Sequence, residues 1–289
     1  MSGVRWLAAV AALLLAPAFA AEEVPYVQTP QPVVDAMLKL AGVNGRDFLI
    51  DLGSGDGRVV VSAASRGARA LGVDLDRHLL GVASEAAKRE GVADRATFRE
   101  QNLFETDLAG ATVITTYLLP DMNLKLRPKI LALKPGTRVV AHDYHMGDWL
   151  PDQRETLEVP EKKVGLEGVS YVYLWHVPAQ VAGRWRTEIP VAGRWTPFEF
   201  ELEQRFQIVT GRASAIASRP TRLQTPRLRG DALSFTVELG PGRPPVRYEF
   251  QGRAAGDELS GTAFVWENNA RREVPFAARR VAAAASGAS

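Results

Sequence analysis

Cysteine is absent from all 289 residues. Disulfides, thiol catalysis and cysteine-ligated metal are therefore excluded; export is permitted but not required. A strong excess of one charge is also missing. The formal net charge of +2 gives no reason by itself to expect a nucleic-acid partner. Lysine disappears from residues 180 to 289, although arginine is frequent there. The apolar run Trp6 to Leu15 falls short of the about 20 residues that a spanning helix needs. With Arg5 before it and Ala18-Phe19-Ala20 after it, residues 1 to 20 read as a secretory signal peptide, with an uncleaved membrane tether as the alternative. Apolar residues make up 46%, enough for a packed core, and the length suits one large or two modest domains.

A dinucleotide fingerprint is lacking as well. What stands in its place is Phe48-Leu-Ile-Asp-Leu-Gly-Ser-Gly-Asp-Gly-Arg58. Phe48 to Ile50 reads as a buried strand, and Val59 to Ala64 as the start of a helix. Glycines at 53, 55 and 57 lie between them. This is the geometry in which backbone approaches a nucleotide closely. Two features oppose a pyrophosphate. The third glycine falls one residue early for G-x-G-x-x-G, and Asp51 puts a carboxylate at the mouth of the loop. A carboxylate repels phosphate and favours a cation. S-adenosylmethionine carries a sulfonium and an ammonium and no phosphate.

The next strand, Ala68 to Val73, ends in Asp74-Leu-Asp76. An acid about 20 residues beyond the glycine loop suits ribose hydroxyls, and Asp74 is placed for it. Asp76 suits the cap of the following helix, Arg77 to Arg89. A third strand, Ala96 to Glu100, leads to Asn102, whose amide can hydrogen-bond a base edge. Strand four is expected over Ala111 to Tyr117, a helix over Leu124 to Leu133, and strand five over Arg138 to Ala141. In that helix Leu124, Leu126, Ile130 and Leu131 are expected inside. Residues 156 to 163 and 169 to 177 complete seven strands, the last pair as a hairpin.

Before the first helix stands Tyr26-Val-Gln-Thr-Pro30, either a packed strap or a lid on the cofactor. Tyr117 is either a strand-end core aromatic or a wall of the site where substrate meets donor. The loop His142-Asp-Tyr-His-Met-Gly-Asp-Trp149 holds two histidines and two aspartates. They could ligate a metal or include a general base. Their short spacing suits neither a helical histidine pair nor a closed metal site, so a hydrogen-bonded loop is the expectation and no metal is assigned.

Tyr26-Val-Gln-Thr-Pro30, Asp51 to Arg58, Gly72-Val-Asp74, Asn102-Leu-Phe104 and Tyr117-Leu-Leu-Pro120 together resemble a class I, seven-strand methyltransferase. The chain is most similar to the lysine methyltransferases of the ATP-synthase c-subunit and adenine-nucleotide-translocase type and their bacterial relatives. Two departures are visible: Asn replaces the usual Asp at 102, and the Asn/Asp-Pro-Pro-Tyr motif of many amine methyltransferases is missing after strand four. The resemblance implies a Rossmann-like, doubly wound seven-stranded α/β sheet over residues 21 to 178. It implies a donor site of Asp51, Gly53, Ser54, Gly55, Asp56, Gly57, Asp74, Leu75, Asn102 and Leu103. It places Tyr117, Pro120 and Tyr26 at the reaction. It implies direct in-line methyl transfer, with a protein lysine as acceptor and a small molecule as the alternative. An exported, non-catalytic binding protein with a retained nucleoside-type pocket is the competing reading, because the donor is made in the cytosol.

Residues 179 to 281 alternate aromatic and β-branched with polar residues, as in Phe198-Glu-Phe-Glu-Leu202 and Leu233-Ser-Phe-Thr-Val237. Turn signals separate the runs, so an antiparallel barrel or sandwich is expected. Val-Ala-Gly-Arg-Trp occurs at both 181 to 185 and 191 to 195, which suggests a local duplication. Residues 282 to 289 read as a disordered tail.

Overall fold

The computed structural model describes residues 26–191, 194–215, 219–239, 246–267 and 270–281. The expected signal segment and the expected tail lie outside the described residues. Two sheets follow one another along the chain.

The first sheet holds β1 (Phe48–Leu52), β2 (Arg69–Asp74), β3 (Ala96–Glu100), β4 (Val113–Thr116), β5 (Arg138–His142), β6 (Gln153–Glu158) and β7 (Val169–His176). Its order is β3-β2-β1-β4-β5-β7-β6. The first five of these are parallel, and β7 runs antiparallel to both β5 and β6. Four helices accompany it: α1 (Gln31–Leu40), α2 (Arg58–Ser65), α3 (Arg77–Arg89) and α4 (Pro120–Leu131). Successive strand residues point to opposite faces. Leu49 and Val140 therefore join the core under α1 and α2, whereas Ile50 and Val139 join the core under α4. Burial of both faces is what makes these strands read as continuous apolar runs. The order reverses between β1 and β4, so the carboxyl ends of those two strands lie side by side, Asp51 against Thr115. Ligands bind at such a switch point.

Several boundaries moved from the sequence-based expectation. β1 continues through Asp51, so the acid is inside the strand and not beyond it. β4 is shorter than expected and leaves Tyr117 just past its end. Helix α4 begins at Pro120, whose fixed φ suits the first helical turn. Leu126 and Ile130 carry its core contact, while Leu124 is exposed. β6 ends at Glu158 instead of reaching 163. The chain turns there because the Lys162 ammonium reaches inward to Asp143, at 2.6 Å, and to the Val169 carbonyl. Helix α3 has the expected ends, and Asp76 caps it by accepting the His78 and Leu79 N–H groups at 2.8 and 3.1 Å.

The second sheet holds β8 (Gly183–Val191), β9 (Arg194–Arg205), β10 (Ile208–Ala215), β11 (Thr221–Arg222), β12 (Gln224–Arg229), β13 (Ala232–Leu239), β14 (Val246–Ala255), β15 (Glu258–Glu267) and β16 (Ala270–Val281). The order is β11-β10-β9-β8-β16-β15-β14-β13-β12, and every pairing is antiparallel. The Leu223 N–H reaches the Gly211 carbonyl at 3.0 Å, which brings the two ends of the sheet together in a nearly closed barrel. Its core is aromatic: the Phe250 ring lies 4.9 to 6.1 Å from Phe198, Phe200, Phe235 and Phe276. The tryptophans that end the two copies of the repeated pentapeptide differ in burial. Trp185 is 0% exposed inside the barrel, whereas Trp195, the second residue of β9, is 67% exposed.

The two sheets are joined at the β9–β10 turn. The Phe206 ring stacks on buried Trp149 at 6.1 Å, and Arg127 and Arg205 both reach the Asp148 carboxylate, at 2.5 and 2.6 Å. Among the described residues no helix is long and apolar enough to cross a membrane.

Candidate active site

The glycine loop is built by hydrogen bonds that need bare backbone. The N–H groups of Gly53 and Ser54 both donate to the Val73 carbonyl, at 2.9 and 3.0 Å. Gly57 then caps α2 at φ 77°, in the left-handed region. A Cβ there would lie 2.5 Å from the Ala83 Cβ and 2.6 Å from the Phe98 ring. At Gly55 the crowding comes from the other side: a Cβ would meet the Tyr26 ring at 2.2 Å. The strap before α1 therefore roofs the loop, and the Tyr26 hydroxyl accepts the Asp56 N–H at 3.2 Å.

Asp51 lies beneath this loop at 5% exposure and accepts the Thr115 hydroxyl at 2.7 Å. Burial pushes its carboxyl up to about 7, and the charges of Asp74 and Asp56 push the same way. The Thr115 hydrogen bond opposes the rise, and among the described residues no cationic side chain joins it, so a cation brought to the loop would favour the ionised form. Asp74 turns one carboxylate oxygen to the Gly55 N–H at 2.8 Å and the other to the Asp76 N–H at 3.0 Å. Each oxygen retains a lone pair. Two buried hydroxyls near the carboxyl ends of β1 and β4, Ser54 and Thr116, have no hydrogen-bond partner among the described residues. A cradle of glycines, an acid poised for a cation and unspent hydroxyls fit an S-adenosylmethionine-type donor.

The remaining expected donor residues are placed less centrally. The Asn102 side chain accepts the Phe104 N–H at 3.0 Å and donates to Glu105 at 3.2 Å, holding its own turn. Leu103 is half-buried against the second core, and Leu75 is exposed.

A cavity of about 330 Å³ opens beside the loop, lined by Val27, Gln28, Pro30, Gln31, Arg58, Tyr117, Glu161, Lys162, Lys163 and Val164. Tyr117 is half-buried, and burial followed by the charge of Asp143 raises its phenol to about 12, so it stays neutral. Its ring lies on His142, with centroids 3.9 Å apart, and Tyr144 stacks at 6.1 Å. Pro120 is exposed at the start of α4 and is not among the lining residues. A larger cavity, about 1000 Å³, lies on the barrel between β8, β9, β10 and β16. It shares no residue with the glycine loop.

The 142–149 segment is a hydrogen-bonded loop. Fully buried His142 meets Thr29 Oγ1 with Nδ1 at 3.2 Å and Ser170 Oγ with Nε2 at 3.0 Å. Asp143, at φ 58°, accepts the Tyr171 N–H at 3.0 Å and pairs with Lys162.

Three participants escaped the sequence reading. Arg58 bonds Asp56 at 2.6 Å and the Thr29 carbonyl at 2.8 Å, tying loop to strap. Its position two residues after Asp56 was the available signal. Thr115 and Lys162 carried none, because each acquires its partner across the fold.

The ANTKMT methyltransferase domain model matches residues 51–153. A protein-lysine N-methyltransferase of Saccharolobus islandicus is 40% identical over 141 residues, which is 48% of this chain and 86% of that protein. The ATP-synthase c-subunit lysine N-methyltransferase of Rattus norvegicus is 32% identical over 145 residues, 50% of this chain and 67% of that protein. Among solved structures, an RNA methyltransferase from Salinibacter ruber in complex with S-adenosyl-L-homocysteine shows 48% identity, 54% coverage of this chain, 96% of that chain, and a TM-score of 0.48.

Proposed function

This chain belongs to the ANTKMT methyltransferase family, which uses S-adenosylmethionine as donor, and on that premise we propose that its acceptor is a lysine side chain of a protein. The observation that carries the proposal is the 40% identity to a protein-lysine N-methyltransferase across 86% of that relative. The cavity beside the loop supports it.

When bound, the donor supplies an electrophilic methyl group on a sulfonium. Asp51 opposes the donor's positive charge from beneath the loop. The backbone of residues 53 to 57 and the Asp74 carboxylate hold its polar groups, and Tyr26 covers the loop and excludes water. The acceptor has one prerequisite: a lysine must lose its proton before it can attack. Burial in a small cavity disfavours the ammonium, whereas the cations on the cavity wall are each paired, Arg58 with Asp56, Lys162 with Asp143 and Lys163 with Glu167. Tyr117, held neutral, presents a ring face to the acceptor side chain. Catalysis of this kind rests on positioning and exclusion of water.

Calorimetric titration of the purified protein with S-adenosylmethionine, beside an Asp51→Ala variant, tests the donor site. Micromolar binding that the variant loses is expected. Incubation with labelled donor and protein or small-molecule acceptors then tests the acceptor. Label on lysine supports the proposal, and label on small amines alone overturns it.

Export belongs to the same proposal, carried by Arg5, the Trp6 to Leu15 run and Ala18-Phe19-Ala20. N-terminal sequencing of the mature protein is expected to start at residue 21. An intact Met1 on protein retained in the cytosol would reject it.

A further inference from the structure

The strap 26–30 is fastened to the donor loop by groups that belong to the loop itself. Asp56 offers its N–H to Tyr26 at 3.2 Å and its carboxylate to Gln28 at 3.3 Å, and Arg58 donates to the Thr29 carbonyl at 2.8 Å. One fastening comes from elsewhere. The Thr29 hydroxyl is 3.2 Å from Nδ1 of His142, at the end of β5, 113 residues away in sequence. The other ring nitrogen is 3.0 Å from the Ser170 hydroxyl on β7. A single imidazole thus spans from strap to sheet.

The imidazole is 0% exposed. Burial holds it neutral, with its pKa lowered to about 4 against the opposing pull of Asp143. A neutral imidazole donates from one nitrogen and accepts at the other, and a hydroxyl can do either. Both tautomers therefore satisfy the chain Thr29, His142, Ser170. An apolar side chain would fill the same space without the desolvation cost of a buried polar ring. It would leave the Thr29 hydroxyl, itself buried, without a partner. His142 also supports the Tyr117 ring, whose centroid is 3.9 Å from its own. Strap, cavity wall and sheet meet at this residue.

We infer that His142 is a positioning residue of the methyl transfer, clamping the 26–30 strap over the donor loop through Thr29 while it supports Tyr117 from beneath. The inference rests on the donor-site reading above and is independent of the acceptor.

The test uses donor affinity by calorimetry, without acceptor, on a panel of variants with one hydrogen bond altered at a time. Thr29→Val removes the hydroxyl without changing shape, and about a tenfold loss of donor affinity is expected. Thr29→Ser restores the hydroxyl and is expected to restore affinity. His142→Asn places an amide near the Nδ1 position and keeps the strap bond; His142→Gln places it near Nε2 and loses that bond. His142→Gln is therefore expected to match Thr29→Val, and His142→Asn to approach the wild type. The Thr29→Val/His142→Gln double variant is expected to be no weaker than either single one, because both remove one interaction. In turnover assays the loss should appear in KM for the donor more than in kcat. Melting temperatures of all variants separate clamp from scaffold: lowered stability with unchanged donor affinity in Thr29→Val overturns the clamp. Equal loss from Ser170→Ala, which touches only the far nitrogen, overturns it as well. Absence of binding by the wild type overturns the donor reading and the clamp together.

Discussion

The two sheets treat buried polar groups in opposite ways. In the barrel, among the described residues, the buried polar side chains are Thr187 and Thr236, and no aspartate, glutamate, histidine, lysine or arginine is buried. The methyltransferase sheet buries Asp47, Asp51, His142 and Lys162. Burial of an ionisable group costs free energy unless something compensates it. Asp47 has Arg138, Lys162 has Asp143, and His142 has two hydroxyls. Asp51 has the Thr115 hydroxyl and no cation. The barrel is organised around packing. The catalytic sheet accepts electrostatic cost where a charged ligand relieves it, the pattern by which perturbed acids mark functional sites.

The contrast can be broken most forcefully at the barrel core. Phe250→Ala removes the ring on which four other phenylalanines converge. A loss of about 3–5 kcal/mol is expected in chemical denaturation. Donor affinity measured below the transition should be unchanged. A change in donor affinity comparable to the stability loss would mean that the barrel takes part in the site.

Asp51→Asn should sharpen the contrast from the other side. Its folded pKa, about 7, lies above the unfolded value of 3.8. The carboxyl's contribution to stability is therefore fully present below pH 3.8 and is lost as pH rises through about 7. At pH 8 the uncharged amide is expected to stabilise the ligand-free protein by on the order of 3 kcal/mol. The same change should weaken donor binding at least about 100-fold, because the donor's cation then lacks its counter-charge. In the wild type, donor affinity should fall by up to about tenfold per pH unit below 7 and level off above it. Denaturation at two pH values and calorimetry across pH check both statements. A destabilised Asp51→Asn protein that still binds donor would contradict this account of the acid.

The smallest effect is expected at Trp195. Trp195→Ala should shift stability by no more than about 0.5 kcal/mol, as surface substitutions do. Trp185→Ala, in the same pentapeptide, should cost about 3–5 kcal/mol. Equal effects would contradict the opposite burial of the two copies.

What could be read directly from sequence was local. Strand, glycine turn and helix at 48 to 65 follow from apolar runs and from backbone geometry that favours glycine, as at Gly57. The cap at Asp76 and both ends of α3 follow from the side-chain oxygen and the 3.6-residue period. Alternation through the barrel strands shows in a period of two. The placing of the acid at 51 directly before its glycines, at the end of a strand, was legible for the same reason: it lies within a few residues.

Tertiary structure decided the rest. The Asp51 carboxyl is raised because folding buries it and brings Asp74 and Asp56 near, against the lowering effect of the Thr115 hydroxyl, 64 residues away. His142 became a link because Thr29 and Ser170 arrive from two other segments. Lys162, one of two adjacent lysines, turned inward because Asp143 waits at the end of β5, while Lys163 stays at the surface with Glu167. Trp185 and Trp195, which end the two copies of Val-Ala-Gly-Arg-Trp, met opposite environments although the residues before them are the same. Backbone preference and periodicity are properties of neighbouring residues, whereas burial, charge pairing and pKa depend on which distant segments pack together.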